Sequence, residues 1–369
     1  MQGRPPFRAD HIGSLLRPTV LRQAHRLRAT GKLPEAEFNR IQDTAILDAV
    51  RMQEACGLRV VNDGEFRRGS YWSRFVERMA GFRVGPAAFK FHDDHGCQVD
   101  FTAPYVCAPL QRVQPIALDE LTFLQRAVTT ATPKITLPSA PTMHFFGGEQ
   151  SIDPGVYSSR EAMFVDLSRA YREEITTLHA AGLRYLQIDE VPLAMLCDRA
   201  IRDEVRATGT DPEALVDLYI DALNQSVAAV PADMIVGLHM CRGNFKGNYL
   251  SAGGYEHVAE RIFNRINVNH FLLEYDTPRA GDFRALKYVP RTKGVVLGLV
   301  SSKVPALESV DALHRRTEEA ARFMELDRLA LSPQCGFAST VAGNPVTEAD
   351  QRAKLERCVA AAHAIWGSA

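Results

Sequence analysis

Short apolar runs alternate with longer amphipathic stretches along most of the chain. The clearest amphipathic stretch is Glu161 to Ala181, where Phe164, Leu167 and Tyr171 recur at steps of three or four. That spacing places them on one face of a helix, and Gly182, directly afterwards, is a common helix stop. The same pattern predicts further helices over residues 35–55, 212–229, 255–266, 307–324 and 348–365.

The apolar runs between these helices show little alternation, as expected for parallel strands that are covered on both faces. Eight strand–helix units favour an α/β fold, and we predict one (β/α)₈ TIM barrel in a single domain spanning residues 1–369. Active sites of such barrels lie at the carboxyl ends of the strands. The predicted strands are residues 7–12, 58–62, 134–137, 183–188, 234–238, 270–273, 294–298 and 329–331.

One stretch departs from the alternation. Residues 82–116 are rich in Val, Phe and polar residues, with two short alternating segments around Asp93-Asp94-His95-Gly96. This pattern predicts a β-hairpin inserted over or beside the barrel mouth.

Composition narrows the possible functions. The chain has 369 residues and a net charge of -1, so no basic field favours nucleic acid. It contains no apolar run of about 18 residues, which argues against a membrane span. The N-terminus lacks an apolar signal core, and the seven cysteines are an odd number. Both features favour reduced thiols in the cytoplasm.

Four residues just beyond predicted strands suggest a metal site: His239, Cys241, Glu274 and Cys335. His239 and Cys241 are two positions apart, so on extended backbone their side chains point the same way. Glu274 and Cys335 end later strands, and a closed barrel would bring all four together. One imidazole, one carboxylate and two thiolates make a plausible tetrahedral zinc site.

Two simpler interpretations compete with a zinc site. Cys241 and Cys335 could be small buried core residues, with His239 a hydrogen-bonded core histidine. His92, His95 and Cys97 form a rival cluster inside the predicted hairpin, where a polar loop is the simpler interpretation.

The ligand types indicate the chemistry. A free thiol has a pKa near 8.5 and is a poor nucleophile until it is deprotonated. Zinc binding removes that proton, and a site with two cysteine thiolates and a carboxylate leaves a bound substrate thiolate electron-rich. The sequence therefore predicts an enzyme that alkylates a thiol.

Five segments resemble the C-terminal catalytic barrel of cobalamin-independent methionine synthases, and the likeness extends from residue 10 to residue 339. The histidine, cysteine, glutamate, cysteine set is its most specific part. The five segments are Asp10-His11-Ile12-Gly13-Ser14, Asn62-Asp63-Gly64-Glu65, Gln187-Ile188-Asp189-Glu190, His239-Met240-Cys241 and Pro333-Gln334-Cys335-Gly336.

The resemblance implies a zinc-dependent methyltransferase that converts homocysteine, or a related thiol, to methionine or a thioether. The turn Ile12-Gly13-Ser14 would bind the homocysteine carboxylate through backbone amides. Glu65 and Asp189 would pair with the amino group, and Zn²⁺ would hold the sulfur. No catalytic residue is placed by the resemblance.

The family's methyl donor is a methyltetrahydrofolate, but one family residue is missing here. Val300 stands roughly where the family carries a histidine tied to proton handling, and Lys303 and His144 are candidates to replace it. A methylcobalamin-type compound and a small sulfonium are therefore further candidate donors.

The thiol acceptor and the partners are less narrowly defined by these motifs. A zinc alkyltransferase or lyase acting on a coenzyme M-like thiol would use the same thiolate chemistry, and a non-catalytic metal-binding barrel is a third hypothesis. Partners would be a small-molecule thiol and a methyl donor, with a homo-oligomer and a corrinoid carrier protein left open.

Three arginines lie near the predicted mouth: Arg17, Arg67 and Arg68. They suit either the binding of an anionic group of a ligand or a solvated basic face. Tyr71 and Trp72 follow directly and suit a wall on which a ligand stacks.

Overall fold

A computed structural model describes residues 3–369. At its centre lies a curled sheet of seven parallel strands that follow one another in chain order, interrupted only by elements outside the sheet. Residues of every strand in this sheet are buried, which explains why their sequences are apolar without alternation. The sheet strands are β1 (Val60–Val61), β6 (Thr132–Pro138), β7 (Tyr185–Glu190), β8 (Ile235–Met240), β9 (His270–Glu274), β10 (Gly294–Val300) and β11 (Leu329–Pro333).

The prediction of a regular strand over residues 7–12 was wrong. Only Ala9 forms a bridge there, parallel to Leu331 of β11. The amide of Asp10 donates to the carbonyl of Leu331 at 2.8 Å, and the amide of Leu331 donates to the carbonyl of Arg8 at 2.9 Å. The segment therefore lies against the last strand, as in an α/β barrel, but its extended pairing is one bridge long.

Helices cover the outside of the sheet, and several begin at the caps that their sequences offer. Ser159 accepts a hydrogen bond from the amide of Ala162, and Thr347 with Asp350 forms a capping box. The helices are α1 (Thr19–Ala29), α2 (Glu35–Ala55), α3 (Ser73–Glu77), α4 (Leu118–Ala127), α5 (Thr142–Phe145), α6 (Arg160–Ala180), α7 (Pro192–Met195), α8 (Arg199–Ala207), α9 (Pro212–Val227), α10 (Glu256–Arg265), α11 (Val310–Ala320) and α12 (Glu348–Trp366).

Two antiparallel strand pairs lie between β1 and β6. Strands β2 (Met79–Pro86) and β5 (Thr102–Arg112) pair along most of their length, with an irregularity between Ala80 and Phe82. The shorter strands β3 (Phe91–His92) and β4 (Gln98–Val99) form a second pair beyond them. We call residues 79–112 the ribbon. His92 also bridges to Tyr249, which ties the ribbon to the loop after β8.

Within residues 3–369, none of the helices combines the length and the apolar character needed to cross a bilayer.

Candidate metal centre and substrate cavity

Three of the four predicted metal ligands come together. The ligand atoms of His239, Cys241 and Cys335 all lie within 4.8 Å of one another, and all three side chains are buried. His239 belongs to β8, Cys241 follows that strand directly, and Cys335 follows β11 closely. Convergence of residues from separate strand ends is what curling of a parallel sheet produces.

The histidine is oriented for a metal. Nδ1 of His239 lies 3.2 Å from the carbonyl oxygen of Leu272, which can only accept, so Nδ1 carries the proton. Nε2 is therefore the nitrogen with a free lone pair, and it is buried without a hydrogen-bond partner. Metal-binding histidines commonly have this arrangement.

The two thiols face each other. Sγ of Cys335 lies 3.7 Å from Sγ of Cys241. This contact, together with burial, raises the pKa of the Cys241 thiol well above its usual range. An orphaned imidazole nitrogen beside two close thiols fits the donor set of a soft or borderline metal such as Zn²⁺.

Glu274 ends β9 but is not among the three residues whose ligand atoms converge. Its carboxylate accepts from the amide of Arg242 at 2.8 Å and pairs with Arg279 at 3.3 Å. Burial opposes ionisation, but Lys303, Arg242 and Arg279 outweigh it and hold the pKa of Glu274 below its usual range. The side chain is thus an anion with other partners, and its role as fourth ligand stays a prediction.

A cavity of about 300 Å³ opens above the metal cluster. Its walls combine the three clustered residues with residues from five other parts of the chain. The predicted substrate-binding residues Ile12, Ser14, Glu65 and Asp189 are among its lining residues.

Glu65 and Asp189 supply the acidic part of the cavity. Asp189 stands opposite His239 in the pairing of β7 with β8. Burial raises the pKa of its carboxyl well above the usual range, and the side chain of Gln187 donates to it at 2.7 Å. Glu65 has a φ of 59°, uncommon for a residue other than glycine. Its Oε2 is buried without a partner, which leaves an acceptor free for a ligand.

The turn at residues 12–14 packs closely against this acidic corner. Gly13 has a φ of 142°, and a Cβ at this position would lie 2.7 Å from the side-chain nitrogen of Asn62. The loop after β11 packs against the same turn, since a Cβ on Gly336 would lie 1.9 Å from the hydroxyl oxygen of Ser14. Both glycines therefore allow backbone to approach where a side chain would not fit.

The arginines near the mouth form neither an anion site nor a solvated face. Arg17 is buried and donates to four backbone carbonyls, among them those of Glu65 at 2.9 Å and Arg68 at 2.7 Å. Arg68 is buried and pairs with Glu120 at 2.6 Å. Arg67 pairs with Asp43 on the outside. The hydrogen bonds and ion pairs of these three side chains hold the loop after β1 in place.

The candidates to replace the family histidine also lie apart from the cavity. Nζ of Lys303 donates to the carbonyl of Gly243 at 2.9 Å. Nδ1 of His144 lies 2.8 Å from the hydroxyl of Tyr219. Neither residue lines the cavity. Within residues 3–369 the rival cluster of His92, His95 and Cys97 does not form a metal-binding group.

The sequence did not predict most of the cavity's remaining wall. Asn244, three residues after Cys241, is buried and donates to the carbonyl of Gly336 at 2.7 Å, while its Oδ1 is without a partner. Its position after a strand end was the signal that could have found it. Tyr71 and Trp72 line the cavity, as proposed for a stacking wall, together with four phenylalanines that carried no motif: Phe91, Phe101, Phe146 and Phe245.

Comparisons with known proteins agree with this geometry. A family model described as the catalytic domain of cobalamin-independent synthase matches residues 7–364. The uncharacterised protein YxjH of Bacillus subtilis is 39% identical over 368 residues, covering 99% of this chain and 96% of that protein. The methionine synthase of Pyrococcus abyssi is 27% identical over 331 residues, covering 88% of this chain and 85% of that protein.

Solved structures show the same fold. A Listeria monocytogenes protein assigned as a vitamin B12-independent methionine synthase matches with a TM-score of 0.76 and 30% identity, covering 99% of both chains. A B12-independent methionine synthase from Shewanella, solved in complex with selenomethionine, matches with a TM-score of 0.74 and 21% identity, covering 97% of both chains. Since the family model covers nearly the whole chain, this protein belongs to the cobalamin-independent methionine synthase family and is a methyltransferase of that family.

Proposed function

We propose that this protein transfers a methyl group to the sulfur of homocysteine in a zinc-dependent reaction that forms methionine. The observation that carries the proposal is one cavity whose floor holds His239, Cys241 and Cys335 and whose wall holds two carboxylates. A thiol-binding centre beside an acidic corner suits a substrate that has both a thiol and an ammonium group. The one domain of residues 1–369 would hold the whole site.

The ligand set follows from the cluster. His239 through Nε2, Cys241 and Cys335 would hold the metal, and Glu274 is proposed as a fourth protein ligand or as a neighbour that balances its charge. When bound, a zinc ion supplies a Lewis acid that keeps a thiol deprotonated at neutral pH. Because the cysteines lose their protons on metal binding, uptake of the ion would release protons.

The remaining residues would bind and orient the amino acid. The free Oε2 of Glu65 and the carboxyl of Asp189 would accept from the substrate ammonium group. Backbone amides of the turn Ile12-Gly13-Ser14 would donate to its carboxylate. Holding both ends of the substrate fixes the direction of its sulfur, so orientation contributes much of the rate.

The acidic corner also bears on the choice between the two thiol acceptors. A coenzyme M-like thiol carries a sulfonate, which the carboxylates of Glu65 and Asp189 would repel. Homocysteine carries an ammonium group, which they attract. This difference favours the amino-acid thiol as acceptor. The methyl donor stays open among a methyltetrahydrofolate, a methylcobalamin-type compound and a small sulfonium.

Calorimetric titration of the zinc-loaded protein tests the acceptor. We expect L-homocysteine to bind with net proton release, seen as a dependence of the heat on buffer ionisation, and L-homoserine to bind far more weakly. Asp189→Asn should weaken homocysteine binding while leaving the binding of coenzyme M unchanged or stronger. Binding of neither amino acid, or equal binding of both, would overturn the proposal.

A further inference from the structure

The side of the cavity away from the acidic corner is a connected aromatic wall. The ring of Phe91 in β3 packs against Phe101 with centroids 4.8 Å apart and against Phe245 at 5.4 Å. Phe101 in turn packs against Phe146 at 5.3 Å. The ribbon and two loops thus build one apolar surface, and all four rings line the cavity together with Tyr71 and Trp72.

The charge of the cavity has one sign. Among the described residues that line it, Glu65 and Asp189 are acidic and none is lysine or arginine. Three cations close to the cavity are already bonded: Arg17 to carbonyls of the loop after β1, Arg68 to Glu120 of α4, and Lys303 to the carbonyl of Gly243. A polyanionic substrate would find no cationic side chain among these lining residues, whereas a cation would be attracted.

In the proposed function, no histidine or carboxyl side chain lining the cavity is left to protonate a leaving group, and burial raises the pKa of the Tyr71 hydroxyl, which also lines it, well above its usual range. His239 is the one histidine among its described lining residues, and its ring is committed to Leu272 and to the metal cluster. Glu65 and Asp189 are committed to the ammonium group in the proposed function. An amine such as the N5 of a tetrahydrofolate leaves well only when it is protonated. The geometry therefore favours a donor whose leaving group departs as a neutral molecule without a proton.

We propose that the methyl donor is a small sulfonium compound, bound with its positive sulfur against the wall formed by Phe91, Phe101 and Phe245. This inference rests on the proposed function, since it names the second substrate of the same site. Aromatic faces bind methylated cations through the ring quadrupole. A quaternary ammonium fits the same wall, but its more basic nitrogen is a poorer leaving atom.

The step balances without any other reactant. The homocysteine thiolate sulfur attacks the methyl carbon, and a new sulfur–carbon bond forms as the sulfonium sulfur–carbon bond breaks. The electron pair of the broken bond stays on the departing sulfur, which leaves as a neutral sulfide. One negative and one positive reactant become two neutral thioethers, so charge is lost inside a cavity with mostly apolar walls. Such a step gains from a low-polarity environment.

Comparing the affinities of two ligands of the same shape separates the contribution of the positive charge from that of shape. Dimethylsulfoniopropionate and 4-methylpentanoate have nearly the same shape, because CH replaces the positive sulfur in the second compound. Titration followed by tryptophan fluorescence, to which Trp72 in the cavity contributes, in metal-free and in zinc-loaded protein, should show the sulfonium binding at least tenfold more tightly. Equal affinity of the two compounds would overturn the proposal, and it would leave the proposed function standing.

A substitution in the wall tests the aromatic contribution. Phe245→Leu keeps apolar bulk but removes one ring, and it should weaken sulfonium binding roughly 5- to 30-fold. Binding of L-homocysteine and the thermal midpoint should change little, because Phe245 is only half-buried. Phe323→Leu, at an exposed phenylalanine, is the matched control and should change neither affinity. An unchanged affinity in Phe245→Leu would contradict the proposal.

Turnover completes the test. Zinc-loaded protein with L-homocysteine and trideuteromethyl-labelled trimethylsulfonium, dimethylsulfoniopropionate or S-methylmethionine should form labelled methionine, detected by mass spectrometry. Labelled product from methyltetrahydrofolate triglutamate or methylcobalamin, and none from the sulfonium panel, would overturn this inference and support the proposed function. Failure of homocysteine to bind at all would instead overturn the proposed function.

Discussion

His239 shows how far a single residue can define the site. One ring nitrogen faces the carbonyl of Leu272 and the other is left buried beside two thiols. A buried polar atom without a partner costs free energy, so native structures rarely keep one without a reason. The proposed metal would remove this cost, so the three proposed ligands should act as a unit.

The first prediction concerns these ligands. Cys335→Ser should reduce bound zinc from about one equivalent to a small fraction, because a serine hydroxyl is not deprotonated as a thiol is. Methyl transfer to homocysteine should fall with it, and metal analysis of dialysed protein measures the loss. Cys97→Ser is the matched control, since Cys97 is exposed in the ribbon, and it should retain full metal. Full metal in Cys335→Ser would show that the site is elsewhere.

A second prediction at this scale concerns Gly13. In Gly13→Ala the new Cβ would meet Asn62 and Thr136 at 2.7 and 2.9 Å, so the turn must move. We expect a loss of about 1–3 kcal/mol in the free energy of unfolding and weaker homocysteine binding, measured by urea denaturation and calorimetry.

Gly31→Ala is the control for that change. Gly31 also has a positive φ, of 69°, but a Cβ there would meet nothing within 4 Å. It should cost only the backbone term, about 1 kcal/mol, and leave ligand binding unchanged. If Gly13→Ala binds homocysteine normally, the turn does not hold the substrate.

Sequence patterns predicted best those site residues that lie close together along the chain. His239 and Cys241 were found together because a spacing of two on a strand places two side chains on one side. Glu274 was located correctly at the end of β9, but sequence could not show that Arg242 and Arg279 compete for its carboxylate. The contacts among the phenylalanines of the wall could not be predicted, because they depend on the orientation of loops, which sequence patterns do not indicate.

At the scale of elements, the loop after β1 is held by a buried ion pair. Arg68 and Glu120 of α4 are both nearly inaccessible, with side-chain exposures of 3% and 0%. The pair links the loop that carries Glu65 to the outer helix layer. Its burial means that each charge depends on the other.

This pair gives the third prediction. Arg68→Met leaves Glu120 charged and buried, so the free energy of unfolding should fall by about 3–5 kcal/mol, measured by urea denaturation. Arg67→Met is a control one residue away, because its partner Asp43 is 41% exposed. That change should cost no more than about 1 kcal/mol. Similar losses in both variants would show that the buried Arg68–Glu120 pair contributes no more to the free energy of unfolding than the exposed Arg67–Asp43 pair.

Strands were predicted well where both faces are buried and less well at the barrel's start. Residues 270–273 and 294–298 were expected, and β9 and β10 cover both ranges. The predicted strand over residues 7–12 is reduced to one bridge, between Ala9 and Leu331. Helices α1, α4 and α8 were not predicted, because their apolar stripes are short.

At the scale of the whole molecule, buried histidines link stability to pH. Burial lowers the pKa of His144 to about 3 from an unfolded value near 6.5. Between pH 3 and pH 6.5, His144 binds a proton in the unfolded chain but not in the folded chain. The contribution of His144 to stability is therefore complete above pH 6.5 and is lost progressively as the pH falls toward 3.

The fourth prediction isolates this effect from other titrating groups by comparing variants. The parent protein should lose about 2 kcal/mol more than His144→Gln between pH 7 and pH 5, measured by urea denaturation at both values. His363→Gln, at an exposed histidine, should follow the parent. Identical pH dependence in parent and His144→Gln would show that His144 titrates normally in the folded state.

The contact between the first and last segments of the sheet has a consequence for biosynthesis. Arg8 donates to the carbonyl of Leu329, across 321 positions of sequence, and Ala9 bridges to Leu331 beside it. Pairings of such long range form late in folding. Ser14 near one end and Cys335 near the other face the same cavity. A chain synthesised only as far as β10 therefore carries His239 and Cys241 without Cys335, and we expect the three-residue cluster to assemble only after β11 has been made.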